Sequence, residues 1–210
     1  STGRPFPTAE LDCQSLVKTE QELMVELPAD NLDLNQLAVA AAKGLPRSPA
    51  KPTAGQDVEA WRSARQAVLR DRVRWETPNG SAQKLASDER DGFQGQFWRI
   101  RVNDQWTLPV VEITPSQANP ARGATILVAQ GGRASVSELA ATLATQGEAV
   151  FAVDPLFWGE SRVEQRAYLF QLLVATAGSR PLGIQAAQIA ATAHWLRSER
   201  QFPRIRVVAV

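Results

Sequence analysis

Ala124-Thr125-Ile126-Leu127-Val128-Ala129-Gln130-Gly131-Gly132 is the stretch on which the fold turns. Its first six residues carry one hydroxyl among aliphatic side chains, as expected of a strand covered on both faces in a parallel sheet. Gln130-Gly131-Gly132 then reads as a turn. Beyond it, Ser135 and Glu138 have the spacing of a capping box, and Val136, Leu139, Ala140 and Leu143 fall at i, i+3, i+4 and i+7 before Gly147 stops the helix. A second strand is expected over Ala149 to Val153, followed by a long loop, Asp154 to Arg162. Two helices come next, about Glu164 to Ala177 and about Leu182 to Ser198, the latter burying Ile189, Ala193 and Leu196. Ile205 to Val210 is a last apolar strand. Strands alternating with helices imply an α/β sheet with right-handed crossovers.

Upstream the period changes from helical to two. In Phe97-Trp98-Arg99-Ile100-Arg101-Val102, Trp98, Ile100 and Val102 share one face while Arg99 and Arg101 point the other way. Asn103-Asp104 is a tight turn into Trp106 to Ile113, so the two runs predict an antiparallel hairpin. Pro109 in the second run suits an edge or a bulge. A helix is expected from Asp57, as N-cap, to about Arg72, with Trp61, Ala64 and Val68 on one face and Arg62, Arg65 and Arg70 mainly outward. Pro46, Pro49 and Pro52 mark a linker over Leu45 to Gly55. A short helix from Asp33 carries Leu34, Leu37, Ala38 and Ala41 and stops at Gly44. Residues 1–29 are punctuated by Pro5, Pro7 and Pro28, with a short helical possibility between Glu10 and Leu27. The expected domains are therefore an N-terminal helical and irregular extension with a Pro-rich linker, 1–56, and an α/β domain, 57–210. There is no internal repeat.

The 210 residues are 44% hydrophobic and 21% charged, enough to bury one sizeable core. Net charge is +1, split as −4 over 1–60, +3 over 61–105 and +2 over 106–210. Charge so evenly spread argues against a nucleic-acid or acidic-membrane partner. One cysteine, Cys13, excludes an intramolecular disulfide and a Cys-rich metal site. One histidine, His194, leaves a single candidate for any His-dependent mechanism. The longest apolar stretch, Ala167 to Ala177, is interrupted by Gln171 and is far below the roughly 20 residues a bilayer span needs. The sequence starts at Ser1 with neither initiator Met nor signal peptide, which reads as a processed chain or a piece of a longer one.

Several motifs, taken in order, resemble the front half of an α/β-hydrolase of the acetylxylan-esterase kind. They are Arg72-Val73-Arg74-Trp75, Glu89-Arg90-Asp91-Gly92-Phe93, the hairpin ending Leu108-Pro109-Val110, and Ile126 to Gly132. Asp154-Pro155 with Trp158-Gly159-Glu160-Ser161-Arg162 is similar to that family's loop after the fourth strand. Pro181-Leu182-Gly183, His194-Trp195-Leu196 and Arg204-Ile205-Arg206-Val207 resemble its approach to the nucleophile strand. Coverage is about Trp61 to Val210. The resemblance implies an α/β-hydrolase-like sheet in which an N-terminal antiparallel hairpin precedes parallel β-α-β units, and an incomplete one. In that family the nucleophile sits in a G-x-S-x-G elbow after the fifth strand, with the acid and histidine further on. No G-x-S-x-G occurs here, so no catalytic residue is expected in this chain and all three are expected after Val210. The resemblance further implies a serine esterase acting on small acyl esters or carbohydrate esters, without cofactor or metal, completed by the C-terminal half of the domain. It also implies export, periplasmic or secreted. From this chain it implies half an oxyanion hole, with Gly132 and Arg133 as the backbone donors, worth about 3–4 kcal/mol each in acyl transfer. Where family members have His-Gly, this sequence has Gln130-Gly131.

Each candidate also has a plainer reading. The Gln130–Arg133 run serves equally as a tight strand-to-helix turn. With Asp154 lying 22 residues after Gly132, it also has a dinucleotide-binding reading, though the full G-x-G-x-x-G is absent. Ser161 sits in a loop away from any base and reads as a loop hydroxyl or cap. Asp154 reads as the residue that fixes its loop through backbone hydrogen bonds. Arg133 and Trp158 read as a solvated arginine and a packed tryptophan ahead of sugar contacts. His194 reads as structural, Cys13 as an inert thiol, and the six tryptophans as packing. Besides the esterase half, two further classes stay open: a non-catalytic hydrolase scaffold used for binding or assembly, and a dinucleotide-binding α/β fragment. An isolated half-sheet is expected to be unstable or to self-associate through its uncovered edge and face.

Overall fold

The computed structural model describes residues 12–47, 51–117 and 123–210. Residues 1–11, with Pro5 and Pro7, and Pro49 of the linker lie outside the described residues. The chain divides into two units, one ending at Thr53 and one running from Ala54 to Val210.

In the first unit, α1 (Glu20–Leu23) and α2 (Leu34–Lys43) each begin with a capping box. Thr19 pairs reciprocally with Glu22, and Asp33 with Gln36. The helix expected from Asp33 to Gly44 is thus present; of the stretch from Glu10 to Leu27, where a short helix is possible, the described residues 12–27 hold a 3-10 turn, Gln14–Leu16, and the single turn of α1. No described residue of this unit is buried.

In the second unit, α3 (Val58–Arg72) starts where Asp57 accepts hydrogen bonds from the Glu59 and Ala60 amides. A six-stranded sheet follows, built from β1 (Gly80–Arg90), β2 (Phe93–Val102), β3 (Trp106–Pro115), β4 (Gly123–Val128), β5 (Glu148–Val153) and β6 (Ile205–Ala209). Its order is β1-β2-β3-β5-β4-β6. The first three strands are an antiparallel meander and β3 pairs antiparallel with β5, while β5, β4 and β6 run parallel. The helices are α4 (Ser137–Thr145), α5 (Ala167–Thr176) and α6 (Pro181–Ser198). This is the expected α/β sheet, with an antiparallel N-terminal part leading into parallel β-α-β units.

Two clusters hold it together, one on each face. Ile100, Val102, Leu108, Val110, Ile126 and Phe151 pack on Ala191, Trp195 and Leu196 of α6. Leu127, Val150 and Ala152 pack on Val136 and on Ala140 and Ala144 of α4. Every residue of β4 and β5 is buried, as the aliphatic run predicted. Each aliphatic side chain so buried stabilises the fold by about 1.5–3 kcal/mol.

Several expectations need correction. The strand β1 is absent from the sequence reading, although Asp91-Gly92 announces it. Both residues have positive φ and join Arg90 to Phe93 as a two-residue hairpin turn. β3 is an interior strand, so Pro109 marks neither an edge nor a bulge. Pro109 lies where pairing with β5 ends: its carbonyl accepts from the Asp154 N–H at 3.2 Å, and it has no N–H to return. The Asp154 carbonyl instead accepts the Ser161 hydroxyl at 2.9 Å. The Ser135–Glu138 capping box does not form. Ser135 Oγ donates to the Gly132 carbonyl at 2.7 Å, residues Arg133–Val136 make a 3-10 turn, and α4 begins only at Ser137. The helix expected from Glu164 starts at Ala167, because Arg166 takes a left-handed conformation. α6 buries Ile184, Ala187, Gln188, Thr192 and Trp195 along with Leu196, and leaves Ile189 and Ala193 half-buried. No residue of α3 is buried; Ala64 and Val68 are exposed, and Arg65 is half-buried beside Trp61. Among the described residues β6 has one neighbour, β4, and Val207 is 52% exposed.

Candidate functional site

The parallel strands β4 and β5 deliver two loops to the same end of the sheet, the end where ligands of open α/β sheets bind. The loop after β4 is Ala129 to Ala134, and the loop after β5 is Asp154 to Arg162. They line a cleft of about 270 Å³ whose walls include Gln130, Gly131, Gly132, Arg133, Glu160 and Arg162.

Asp154 organises it. The residue is 2% exposed, and its carboxylate accepts the Arg133 N–H at 2.7 Å, Arg133 Nη1 at 2.9 Å and the Glu160 N–H at 3.0 Å. Arg133 Nη2 also pairs with the Glu160 carboxylate. A buried carboxylate is tolerated only when its lone pairs are satisfied in this way, and donors of opposite charge give the strongest such bonds. The loops can come this close because Gly132 and Gly159 face each other. Gly132 has φ +82 and Gly159 φ +50, a Cβ on Gly132 would overlap the Gly159 backbone, and one on Gly159 would overlap the Asp154 carboxylate.

A third element steadies the second loop. On α6, Gln188 accepts the Leu156 N–H at 2.8 Å and Gln185 donates to the Leu156 carbonyl at 2.7 Å. Gln188 is buried, and its polar head is satisfied by the loop backbone. Neither glutamine is among the residues singled out from the sequence. Two glutamines at i, i+3 in the apolar run from Leu182 to Ala191 were the available signal.

The candidate donors lie on the cleft wall with inward partners. The Gly132 N–H donates to the Ala129 carbonyl at 2.9 Å, and the Arg133 N–H donates to Asp154. The guanidinium of Arg133, read from the sequence as solvated, is tied to Asp154 and Glu160. Asp154 holds both loops by accepting their backbone N–H groups, and Ser161 donates back to the Asp154 carbonyl. With its carboxylate taken by three N–H groups, Asp154 has no oxygen turned outward for a ribose, which the dinucleotide reading requires. Trp98, Trp106 and Trp158 pack against the α6-side core that contains Trp195, and Trp61 and Trp75 are half-buried. His194 is exposed on α6, and Cys13 is exposed in the first unit. Among the described residues no three His, Cys, Asp or Glu side chains converge as a metal site, and no helix is long and apolar enough to cross a membrane.

No protein-family profile matches the sequence, and no curated protein is similar to it. Solved structures are. A Bacteroides fragilis protein assigned as an acetyl xylan esterase superposes with a TM-score of 0.63 at 14% identity, covering 88% of this chain and 56% of that one. A methylesterase superposes with a TM-score of 0.56 at 18% identity, covering 72% of this chain and 34% of that one. The chain therefore spans at most about half the length of these structures. At such identities the likeness is one of fold: the second unit carries a mixed six-stranded sheet of the α/β-hydrolase class, with esterases among its structural neighbours.

Proposed function

We propose that this chain is part of a serine ester hydrolase acting on acetyl or related acyl esters of carbohydrate, and that it supplies the wall of the site while the nucleophile, acid and histidine belong to further sequence. The observation that carries the reading is the cleft at the carboxyl ends of β4 and β5, closed by the Gly132–Gly159 contact and the Asp154 clamp. The fold likeness to the acetyl xylan esterase and the methylesterase supports it.

In the mechanism this implies, a serine attacks the ester carbonyl, a tetrahedral oxyanion forms, and its collapse releases the alcohol and leaves an acyl-enzyme for water to hydrolyse. Gly132 and Arg133 are the proposed oxyanion donors. For that role each must exchange its internal acceptor, Ala129 O or the Asp154 carboxylate, for the substrate oxygen. The paired glycines 131 and 132 give the turn the backbone freedom for the exchange. Asp154 then acts as a positioning residue that keeps the loop next to the reacting carbon. A developing oxyanion is attractive to the Arg133 guanidinium, which the two acids hold at the cleft wall.

The test is hydrolysis of p-nitrophenyl acetate and acetylated xylan by the 210-residue chain and by a version extended along its gene. The short chain is expected to be inactive. The extended one should hydrolyse both and be labelled by a fluorophosphonate at a serine beyond residue 210. Turnover by the short chain, or no serine labelling in the extended one, overturns the reading.

A further inference from the structure

We propose that α3 of one molecule docks in a groove on a second copy, between α4 and the outer face of the β1-β2-β3 meander. The groove has an apolar floor of Phe93, Phe97 and Ile113, and Gly95 leaves it open where a side chain would stand. Ala141 of α4 forms a wall, and the volume is about 450 Å³. Phe97 is 37% exposed, a large aromatic surface to leave in water. Three carboxylates, Asp88, Asp91 and Glu138, stand on the rim; the one basic residue there, Arg90, lies 3.8 Å from Asp91.

α3 has the complementary character. It is 15 residues long and buries none of them, and Val58, Val68 and Leu69 are 49%, 48% and 60% exposed. Arg62 and Arg65 follow Val58 by four and seven residues, Arg65 precedes Leu69 by four, and Arg72 follows Val68 by four and Leu69 by three, so one side of the helix interleaves aliphatic and arginine side chains, with Arg62 also paired to Glu59. A helix side that interleaves aliphatic side chains with arginines fits an apolar groove rimmed with carboxylates, a mode of helix-in-groove docking.

The helix cannot reach the groove of its own molecule. The Val73 carbonyl at the end of α3 lies against Gly183 of α6, so closely that a Cβ there would overlap it. α6 covers the sheet face that bears Ile100, Val102, Leu108 and Val110. Phe93, Gly95 and Phe97 alternate with those residues along β2 and therefore face the opposite way. With the sheet between them, the two complementary surfaces can meet only across two molecules, and because they lie on opposite sides of the sheet each molecule engages one neighbour through α3 and another through its groove, a head-to-tail contact.

Sedimentation velocity of the 210-residue chain at tens of micromolar and low salt is expected to show concentration-dependent oligomers that dissociate as salt rises. The groove variant Asp88→Lys/Asp91→Lys/Glu138→Lys and the helix variant Arg62→Glu/Arg72→Glu should each weaken self-association by about tenfold or more, because like charges then meet. An equimolar mixture of the two should restore self-association, since the helix of each variant then meets a groove of opposite charge on the other. Loss of function through misfolding cannot produce that rescue. A monomeric wild type, self-association indifferent to both variants, or no rescue on mixing overturns the proposal. A gene-extended protein that is monomeric where the 210-residue chain self-associates assigns the groove to a later segment, and overturns it too.

Discussion

Glu112→Ala is expected to lower the unfolding free energy by about 3 kcal/mol, the lower part of the range for breaking a buried ion pair. For a chain of this size that corresponds to a fall in Tm of roughly 6–12 °C. Glu112 is 2% exposed and takes Arg200 in a bidentate grip, at 2.8 and 2.7 Å, together with the indole N–H of Trp98 at 2.9 Å. The Arg200 guanidinium lies 5.3 Å from the centre of the Trp98 ring, 5.5 Å from Trp195, and 5.8 Å from both Phe151 and Phe202. Removal of the carboxylate strands a cation among aromatic faces and leaves an indole N–H without its acceptor. Because the Arg200 side chain is 28% exposed, it can turn partly toward water, which places the loss at the low end. The double change Glu112→Leu/Arg200→Met removes both charges and should recover at least half of the loss. Denaturant melts of the three proteins measure this; a single-variant loss below about 1 kcal/mol, the scale of an exposed pair, would show that the pair is not formed.

Gly159→Ala should be comparably severe and act through the candidate site. Holding a non-glycine residue at φ +50 costs about 1–2 kcal/mol. The added Cβ also displaces the Asp154 carboxylate from the Arg133 and Glu160 amides, leaving buried polar groups that cost roughly 1–3 kcal/mol apiece. With two amides these contributions reach about 3–8 kcal/mol, and because the cleft opens to water, which can take up part of the loss, the low end of about 3–4 kcal/mol is expected. Hydrogen exchange reports the mechanism: the amides of Arg133 and Glu160 should be protected in the wild type and exchange rapidly in the variant. Asp154→Asn, which keeps the size and one acceptor oxygen, should open only one of the two amides, the one left facing the side-chain NH2, with a smaller loss of stability. Wild-type melting of Gly159→Ala, or unaltered protection of both amides, would rule out the clamp.

The parallel part of the sheet was legible because burial on both faces demands uninterrupted aliphatic runs, and Ala124–Ala129 and Ala149–Val153 are such runs. β1 escaped because its residues from Leu85 to Arg90 are exposed and carry no alternating pattern, with a register shift between Lys84 and Ala86 adding to the irregularity. Pro109 misled for a related reason. Its missing N–H is harmless wherever pairing ends, and whether that is a sheet edge or the last rung beside an interior neighbour depends on strand order. In the candidate site, Gly132, Arg133 and Asp154 were visible at the ends of predicted strands. The parts played by Glu160, Gln185 and Gln188 were not, since loop polarity and a helical glutamine carry no sign of what lies opposite.

From residue order alone came the strand-helix alternation, the hairpin at Asn103-Asp104, the cap at Asp57, and two glycine-bearing loops brought to one end of a parallel sheet, because hydrophobic period and turn chemistry are local properties. Partnership was decided in three dimensions. That Asp154 turns inward to hold two loops, that Arg200 is gripped by Glu112 from 88 residues away, and that α3 and the Phe93–Phe97 groove lie on opposite sides of the sheet all follow from strand order and chain crossing. Those contacts join residues far apart in sequence, and their energies arise only once burial has removed the water that would otherwise satisfy each group by itself.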